Sequence, residues 1–327
     1  MITTQSKIRL RPLSSIVFSC IFQSEKTAGP AMLDFLNAVL THVGEEPISE
    51  ILEMKSEYTL MGNLAEQKYS RLDVRVKAKS GRLFDIEVQL ENDNMNTRGL
   101  FYGTRLMEEE LSSGASYNEM PDVRVINIVD FYVRDDKEHV IEPVVFCYKN
   151  CPGQIATDKF MMYHIQLPVF RKQHPSLESV VGDSLSRWLY MLDQAYKNEE
   201  EMKMLSEMSE GLKNFAIRYN IALDDPDLLR YYRMIEDGKR DIRSQIQSAE
   251  KRGWDKGMAK GIDIGRADGI NIGRADGINI GKDIGLRALV HSMKPIYNDF
   301  DSVCMKVREN DDFADVPTEA ILKYYNE

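Results

Sequence analysis

The chain is 327 residues long, 43% hydrophobic and 29% charged, with a formal net charge of −10. That composition is ordinary for a soluble globular protein of one or two domains, and the negative balance excludes polyanion binding by net charge, so any nucleic-acid contact has to rest on a local basic patch. Cys20, Cys147, Cys151 and Cys304 are irregularly spaced, with no histidine at ligand spacing; they make neither a disulfide framework nor a zinc set and read as reduced thiols of a cytoplasmic protein.

Lys7, Arg9 and Arg11 precede the apolar run Ile16 to Phe22, which contains Ser19 and leads into Gln23, Glu25 and Lys26 without a small-residue cleavage site. It reads as a strand or helix start packed on the core rather than a targeting segment, and no stretch approaches the ~20 apolar residues of a membrane span. Ala31 to Val43 has apolar residues at helical spacing, with Gly29-Pro30 as a start signal and Glu46-Pro47 as a break. Ile48 to Leu60 reads as a first strand, closed by Met61-Gly62-Asn63.

Ser70 to Glu91 then has the form of a β-hairpin, two alternating runs around a Lys-Ser-Gly-Arg turn. Leu72, Val74, Val76 and Ala78 share one face with Phe84, Ile86, Val88 and Leu90, while Asp73, Arg75, Lys77, Asp85, Glu87 and Gln89 share the other. Matching apolar to apolar requires an odd loop, which a three-residue loop with Gly81 in a left-handed conformation supplies. One such register sets Asp73 opposite Gln89 with Glu87 as diagonal neighbour, and another sets Asp73 opposite Glu87; both bring an aspartate, a glutamate and an amide within roughly 5 to 8 Å. Asp85 and Glu91 read as surface charges.

Asn94 to Ser113 is helical by periodicity, capped by Asn96, ended by Gly114 and carrying Arg98, Tyr102 and Arg105 on one face. Val123 to Val133, Val144 to Tyr148 and Phe160 to Val169 read as strands, completing an α/β domain over residues 1–170. Residues 171–250 are helical and charge-laced, with no catalytic constellation. In residues 251–286 nine glycines fall at every fourth position, from Gly253 to Gly285, and GRADGINI occurs twice in tandem. This segment reads as a weakly helical self-association or spacer element; it lacks the strand-to-helix context and the ending of a phosphate-binding loop. Residues 287–327 read as two short acidic helices, the second started by Pro317.

The polar face of the hairpin is where chemistry is expected. Asp73 and Glu87 can hold a hard divalent cation such as Mg²⁺, with Mn²⁺ as a substitute, and Gln89 is placed to orient an attacking water or a phosphate oxygen. Taken as alternation alone, the same charges are cross-strand ion pairs on a solvent face.

Asp73 followed after thirteen residues by Glu87-Val88-Gln89 is similar to the D…ExK signature of PD-(D/E)XK nucleases, with glutamine in place of lysine. With its flanks, including Arg98-Gly-Leu-Phe-Tyr102 and Gly114-Ala-Ser-Tyr117, the segment resembles the recombination-promoting nuclease and transposase family of that superfamily, whose members also tend to end in glycine-every-fourth repeats. The resemblance implies a restriction-endonuclease-like core, a mixed central sheet flanked by helices, followed by a helical C-terminal region. It implies a Mg²⁺-dependent DNA endonuclease linked to mobile-element recombination, with Asp73 and Glu87 as metal ligands and Gln89 in the lysine's place; Arg98 and Tyr102 read either as caps of the sheet or as phosphate and DNA contacts. Leu13 to Phe18 lacks the acidic residue that relatives often carry there, which leaves Asp34, Glu57 and Glu66 as candidates for a further ligand. The missing lysine and the negative charge also motivate the alternative of an inactive nuclease-fold protein that assembles, as a homo-oligomer or with partners, through its C-terminal repeat.

Overall fold

The computed structural model describes residues 9–56, 74–91, 94–111, 116–135, 137–297 and 299–327. Two helices, α1 (Ser15–Ile21) and α2 (Glu25–His42), lead into β1 (Ile51–Ser56), β2 (Val74–Ala78) and β3 (Leu83–Gln89). Helix α3 (Met95–Glu110) crosses to β4 (Val123–Val129), and the long hairpin of β5 (Ile141–Tyr148) and β6 (Cys151–Gln166) completes a six-stranded sheet of order β1-β2-β3-β4-β6-β5. The pairs β3-β4 and β4-β6 are parallel and the others antiparallel, so the sheet is mixed. Strand β4, VRVINIV, is buried along its whole length, as a central strand covered on both faces requires.

The two faces differ in what covers them. On one side Val74, Val76, Phe84, Ile86, Ile126 and Ile165 join a core with α1, α2 and the later helices, in which Phe35, Trp188 and Phe215 pack edge-on. Those later helices are α4 (Leu167–Gln173), α5 (Ser184–Asp193), α6 (Glu199–Ser206) and α7 (Glu210–Leu223); the segment expected to be helical after residue 170 thus supplies part of the sheet's own core. On the other side lies α3, over a smaller cluster of Leu83, Leu106, Val123, Val125, Phe160 and Met162. Charge pairs fasten both ends of the parallel strands. Arg124, buried at the start of β4, donates to Glu45 at 2.7 and 3.0 Å, and Tyr163 also hydrogen-bonds to Glu45. Beyond the end of β4, Asp130 and Asp193 are bridged by Arg11 and Arg171 at 2.6–2.9 Å. Burial alone would raise the Asp130 pKa, but hydrogen bonds and charge from Arg171 and Arg11 outweigh it and hold the carboxyl below its usual range.

Contacts divide the chain into two units, Met1–Asp237 and Gly238–Glu327. Helix α8 (Pro226–Met293) belongs to both. In the second unit its last turns pack with α9 (Phe300–Arg308) and α10 (Thr318–Tyr325) around Leu286, Val290, Val303, Val307 and Ile321, and Pro317 directly precedes α10 as its position in the sequence suggests. Among the described residues no helix is long and apolar enough to cross a membrane.

The hairpin folds as its parity requires. Val74 faces Ile86 and Arg75 faces Asp85, the turn is closed by Gly81 N–H donating to the Ala78 carbonyl, and Gly81 has φ +84°. Elsewhere the boundaries move. Helix α2 begins at Glu25, not after Pro30; Pro30 and Lys26 lie on its exposed side, where water can take the carbonyl that a proline leaves unbonded. Strand β6 starts at Cys151 rather than Phe160 and ends before Val169, because its outer half is exposed on both sides and so lacks the apolar alternation that marks a strand. Asn94, not Asn96, is the N-cap of α3. Asp85 is no surface charge: it is 1% exposed, because α3 covers the polar face of the hairpin.

Helix α3 can lie that close because Gly99 and Gly103 face the sheet. A Cβ at Gly103 would fall 2.2 Å from Phe160 Cε2 and 2.9 Å from Val125 Cγ2. Gly103→Ala is therefore expected to destabilise the first unit by about 1–3 kcal/mol, the scale of core overpacking. Gly265→Ala, at a position with nothing within 4 Å, should not destabilise the chain. Denaturant titration of the two variants beside wild type checks the contrast.

Candidate functional site

The parallel register sets Glu87 of β3 beside Asn127 of β4, and Asn127 beside His164 of β6; the antiparallel pairing of β5 extends the line to Glu142. All four point toward the α3 side, since residues two apart on each strand share a face, and all are at most 6% exposed. A polar row thus crosses four strands directly below the first turn of α3. One step below it on the same face lie Asp85, Val125 and Met162.

Glu87 is 2% exposed, and the Arg98 guanidinium of α3 approaches its Oε2 to 3.6 Å. Asp85, two residues earlier on the same face, is equally enclosed and lies opposite Arg75, which reaches up to Glu109 of α3 at 3.1 Å. Gln89 follows at the half-buried end of β3, and Tyr102 sits one turn after Arg98, edge-on to the exposed Phe101. Asp73, Glu57 and Glu66 lie outside the described residues. The observed register, Val74 to Ile86, is the second of the two the hairpin allows. Asp34 is remote from this row: it accepts from the Ser209 hydroxyl at 2.5 Å, where α2 meets α7. Among the described residues no three His, Cys, Asp or Glu side chains gather as a metal-holding group.

The far half of the row is organised around His164. Asn127 Nδ2 donates to His164 Nδ1 at 3.2 Å, and His164 Nε2 donates to Asn96 Oδ1 at 2.8 Å. Those two partners select the neutral tautomer protonated on Nε2. Burial favours the same state and pushes the His164 pKa down from 6.5 to about 4. The second polar atom of Asn127, Oδ1, is buried without a hydrogen-bond partner among the described residues, next to Glu87 in the row. Beside Asn96, a groove of about 280 Å³ opens between α3 and the β5-β6 hairpin, lined by Leu100, Phe146, Phe160 and Met162.

The arrangement is an α/β sheet whose parallel centre carries a buried glutamate two residues before a half-buried amide, under a helix bearing arginine. The family described as PD-(D/E)XK nuclease family transposase matches residues 12–249. The chain belongs to that family. No curated protein and no solved structure matches it. The matched span covers the whole sheet, α3 and the helices that complete the first core, and the mixed six-stranded sheet flanked by helices is consistent with a PD-(D/E)XK nuclease fold.

For this PD-(D/E)XK nuclease family member, Asn127 and His164 are the residues that reading by charge spacing passes over. Their signal was a polar side chain in the middle of each of two mainly apolar strands, VRVINIV and FMMYHIQ; it becomes a site only when the register aligns them with Glu87. The depressed His164 pKa gives a pH test. The unfolded chain takes up a proton near pH 6.5 and the folded one only near 4, so this contribution is complete above pH 6.5 and is lost as pH falls from there toward 4. Replacing His164 with Gln should remove about 2–4 kcal/mol of the wild type's stability loss over that window, judged from ~1.4 kcal/mol per pKa unit. Denaturation curves of both proteins at a series of pH values measure it.

Proposed function

We propose that the chain is a divalent-metal-dependent DNA endonuclease acting in mobile-element recombination in the cytoplasm, with Asp73 and Glu87 as metal ligands. The observation that carries this reading is Glu87, a carboxylate enclosed between α3 and the sheet with a guanidinium at its edge. Membership of a nuclease family linked to transposition supports the reaction class and DNA as substrate.

The donor set fits a hard cation. Glu87 supplies a carboxylate, Gln89 an amide oxygen on the same face, and the buried Asn127 Oδ1 a further acceptor that is without a donor among the described residues; hard oxygens of this kind, few and supplemented by water and phosphate, are what Mg²⁺ takes. Asp73 and Glu87 would hold the ion, which when bound supplies a more acidic water and neutralises charge on the phosphoryl oxygens. Gln89 orients the attacking water or a phosphate oxygen, and being neutral it cannot supply the positive charge of the lysine it replaces. Arg98 is the nearest source of that charge, and with Tyr102 one turn further on it forms the phosphate-facing part of α3. Exposed Phe101 and Phe146, at 59% and 46%, offer flat apolar faces beside it. Assembly of the chain with itself through the glycine-spaced part of α8 belongs to the same reading.

A second reading, an inactive nuclease-fold protein, is favoured by Gln89 together with the Arg98–Glu87 pair, which would satisfy the carboxylate without a cation. Incubation with supercoiled plasmid and Mg²⁺ or Mn²⁺ separates the two. Nicking is expected, and Asp73→Ala or Glu87→Ala should each lower its rate by roughly a hundredfold or more, the scale of losing one preorganised electrostatic stabiliser, while DNA retention in a gel-shift assay is preserved. Nicking that is unchanged in both variants ends the assignment, and no nicking by wild type with either ion favours the inactive reading.

A further inference from the structure

From Arg240 to Ile284 every residue of α8 is exposed, although the stretch includes Trp254, Ile262, Ile270, Ile278 and Ile284, each at least 53% accessible. Glycine is the poorest helix former after proline, yet at eight of the nine glycines spaced by four, Gly253 to Gly281, an added Cβ would meet nothing within 4 Å. Among the described residues no contact accounts for them. A second helix brought backbone-close against a glycine ridge does, as in small-xxx-small packing.

The pattern also says which helix and in which direction. Four residues of an α-helix turn by about 400°, so the ridge drifts by about 40° per glycine, and a row with a period longer than 3.6 winds in the right-handed sense. In a frame that follows the ridge, the residue after each glycine lies to one side, the residue before it to the other, and the middle residue behind. One flank then reads Ile262, Arg266, Ile270, Arg274, Ile278, the opposite flank Ile264, Asp268, Ile272, Asp276, Ile280, and the back Ala267, Asn271, Ala275. Over Ile262 to Ile280 basic and acidic residues are segregated to opposite flanks, with isoleucines alternating on both; nearer the start of the ridge, Arg252, Lys256 and Lys260 precede their glycines on the second flank.

From this juxtaposition we infer that α8 pairs with α8 of a second copy of this chain, parallel and in register, in a right-handed crossing through the glycine ridge. A two-fold axis running along a parallel pair turns the basic flank of each helix to the acidic flank of the other. Arg266 then meets Asp268 of the second copy, Arg274 meets Asp276, and Ile270 meets Ile272, each contact occurring twice. An antiparallel pair has its axis across the helices and sets basic flank on basic flank and acidic on acidic. Charge complementarity between flanks therefore selects the parallel arrangement, and burial of the exposed isoleucines supplies the attraction. The inference rests on the assembly part of the proposed function and not on its chemistry.

Sedimentation equilibrium of the full chain tests it. Wild type should be a dimer, and Arg266→Asp with Arg274→Asp should raise its dissociation constant by about tenfold or more, at least ~1.4 kcal/mol. Adding Asp268→Arg and Asp276→Arg to that variant exchanges the flanks and should restore the dimer. Gly265→Ala with Gly269→Ala and Gly273→Ala should keep or raise helicity by circular dichroism while weakening the dimer. For direction, chains carrying Ile270→Cys and Ile272→Cys on a Cys147→Ser, Cys151→Ser background are oxidised separately and mixed. The mixture should cross-link, and more than either chain alone. A monomeric wild type overturns both the assembly reading and this inference. A dimer that ignores the charge changes, a flank exchange that fails to restore it, or Ile270→Cys chains that link mainly to themselves overturns this inference alone.

Discussion

The close seating of α3 on the sheet is the constraint from which the site follows. With glycine at positions 99 and 103, the helix backbone meets Val125, Phe160 and Met162 directly, and side chains of its first turns, Asn96 and Arg98, reach strand level to meet His164 and Glu87. The same descent brings the positive end of the helix dipole toward a buried carboxylate, where it is electrostatically favourable. A bulkier residue at either glycine would lift the helix, and with it the arginine and the amide that complete the polar row.

Such a row is an expensive thing to enclose. Burying polar and ionised groups is unfavourable unless partners are supplied in good geometry, and replacing them by packed apolar residues is often neutral or stabilising. The opposite face of the sheet offsets this with a large apolar core built on Phe35, Trp188 and Phe215, while the Glu45–Arg124 and Asp130–Arg171 groups tie the strand ends to the surrounding helices. Polar side chains kept in the middle of central strands against that gradient break the packing rule in the way that functional sites are expected to.

Much of this was legible before any coordinates. Alternation and parity gave the hairpin, its loop with Gly81, and the common face of Glu87 and Gln89, because period-2 patterns translate directly into faces. What alternation cannot state is whether the polar face looks at solvent or at another element. Asp85 reads as a surface charge for that reason, and it is α3, which begins ten residues further along the chain at Met95, that covers this face. Asn127 and His164 were hidden for a related cause: the alignment of β3, β4 and β6 is long-range and parallel, set by crossover connections that leave no local trace. Pro30 misled the start of α2 because a proline early in a helix is tolerated where its orphaned carbonyl is exposed. Asp73, the other carboxylate expected on the hairpin's polar face, lies outside the described residues.

Glycine is put to two opposite uses along this chain, and the comparison bears on how α8 arose. In α3 each glycine has a visible reason, a neighbouring strand that a methyl group would strike. In α8 eight glycines have none among the described residues, and their spacing, not their surroundings, is what is regular. The tandem unit GRADGINI is eight residues long, twice the glycine spacing. Inserting or deleting a whole unit therefore returns every side chain to its own row: glycine to the ridge, arginine to one flank, aspartate to the other. A seven- or nine-residue unit would rotate the rows and mix the charges. A segment that lengthens by duplication while keeping its flanks segregated can change its reach without changing what it recognises, which a spacer selected for length alone would have no need to do.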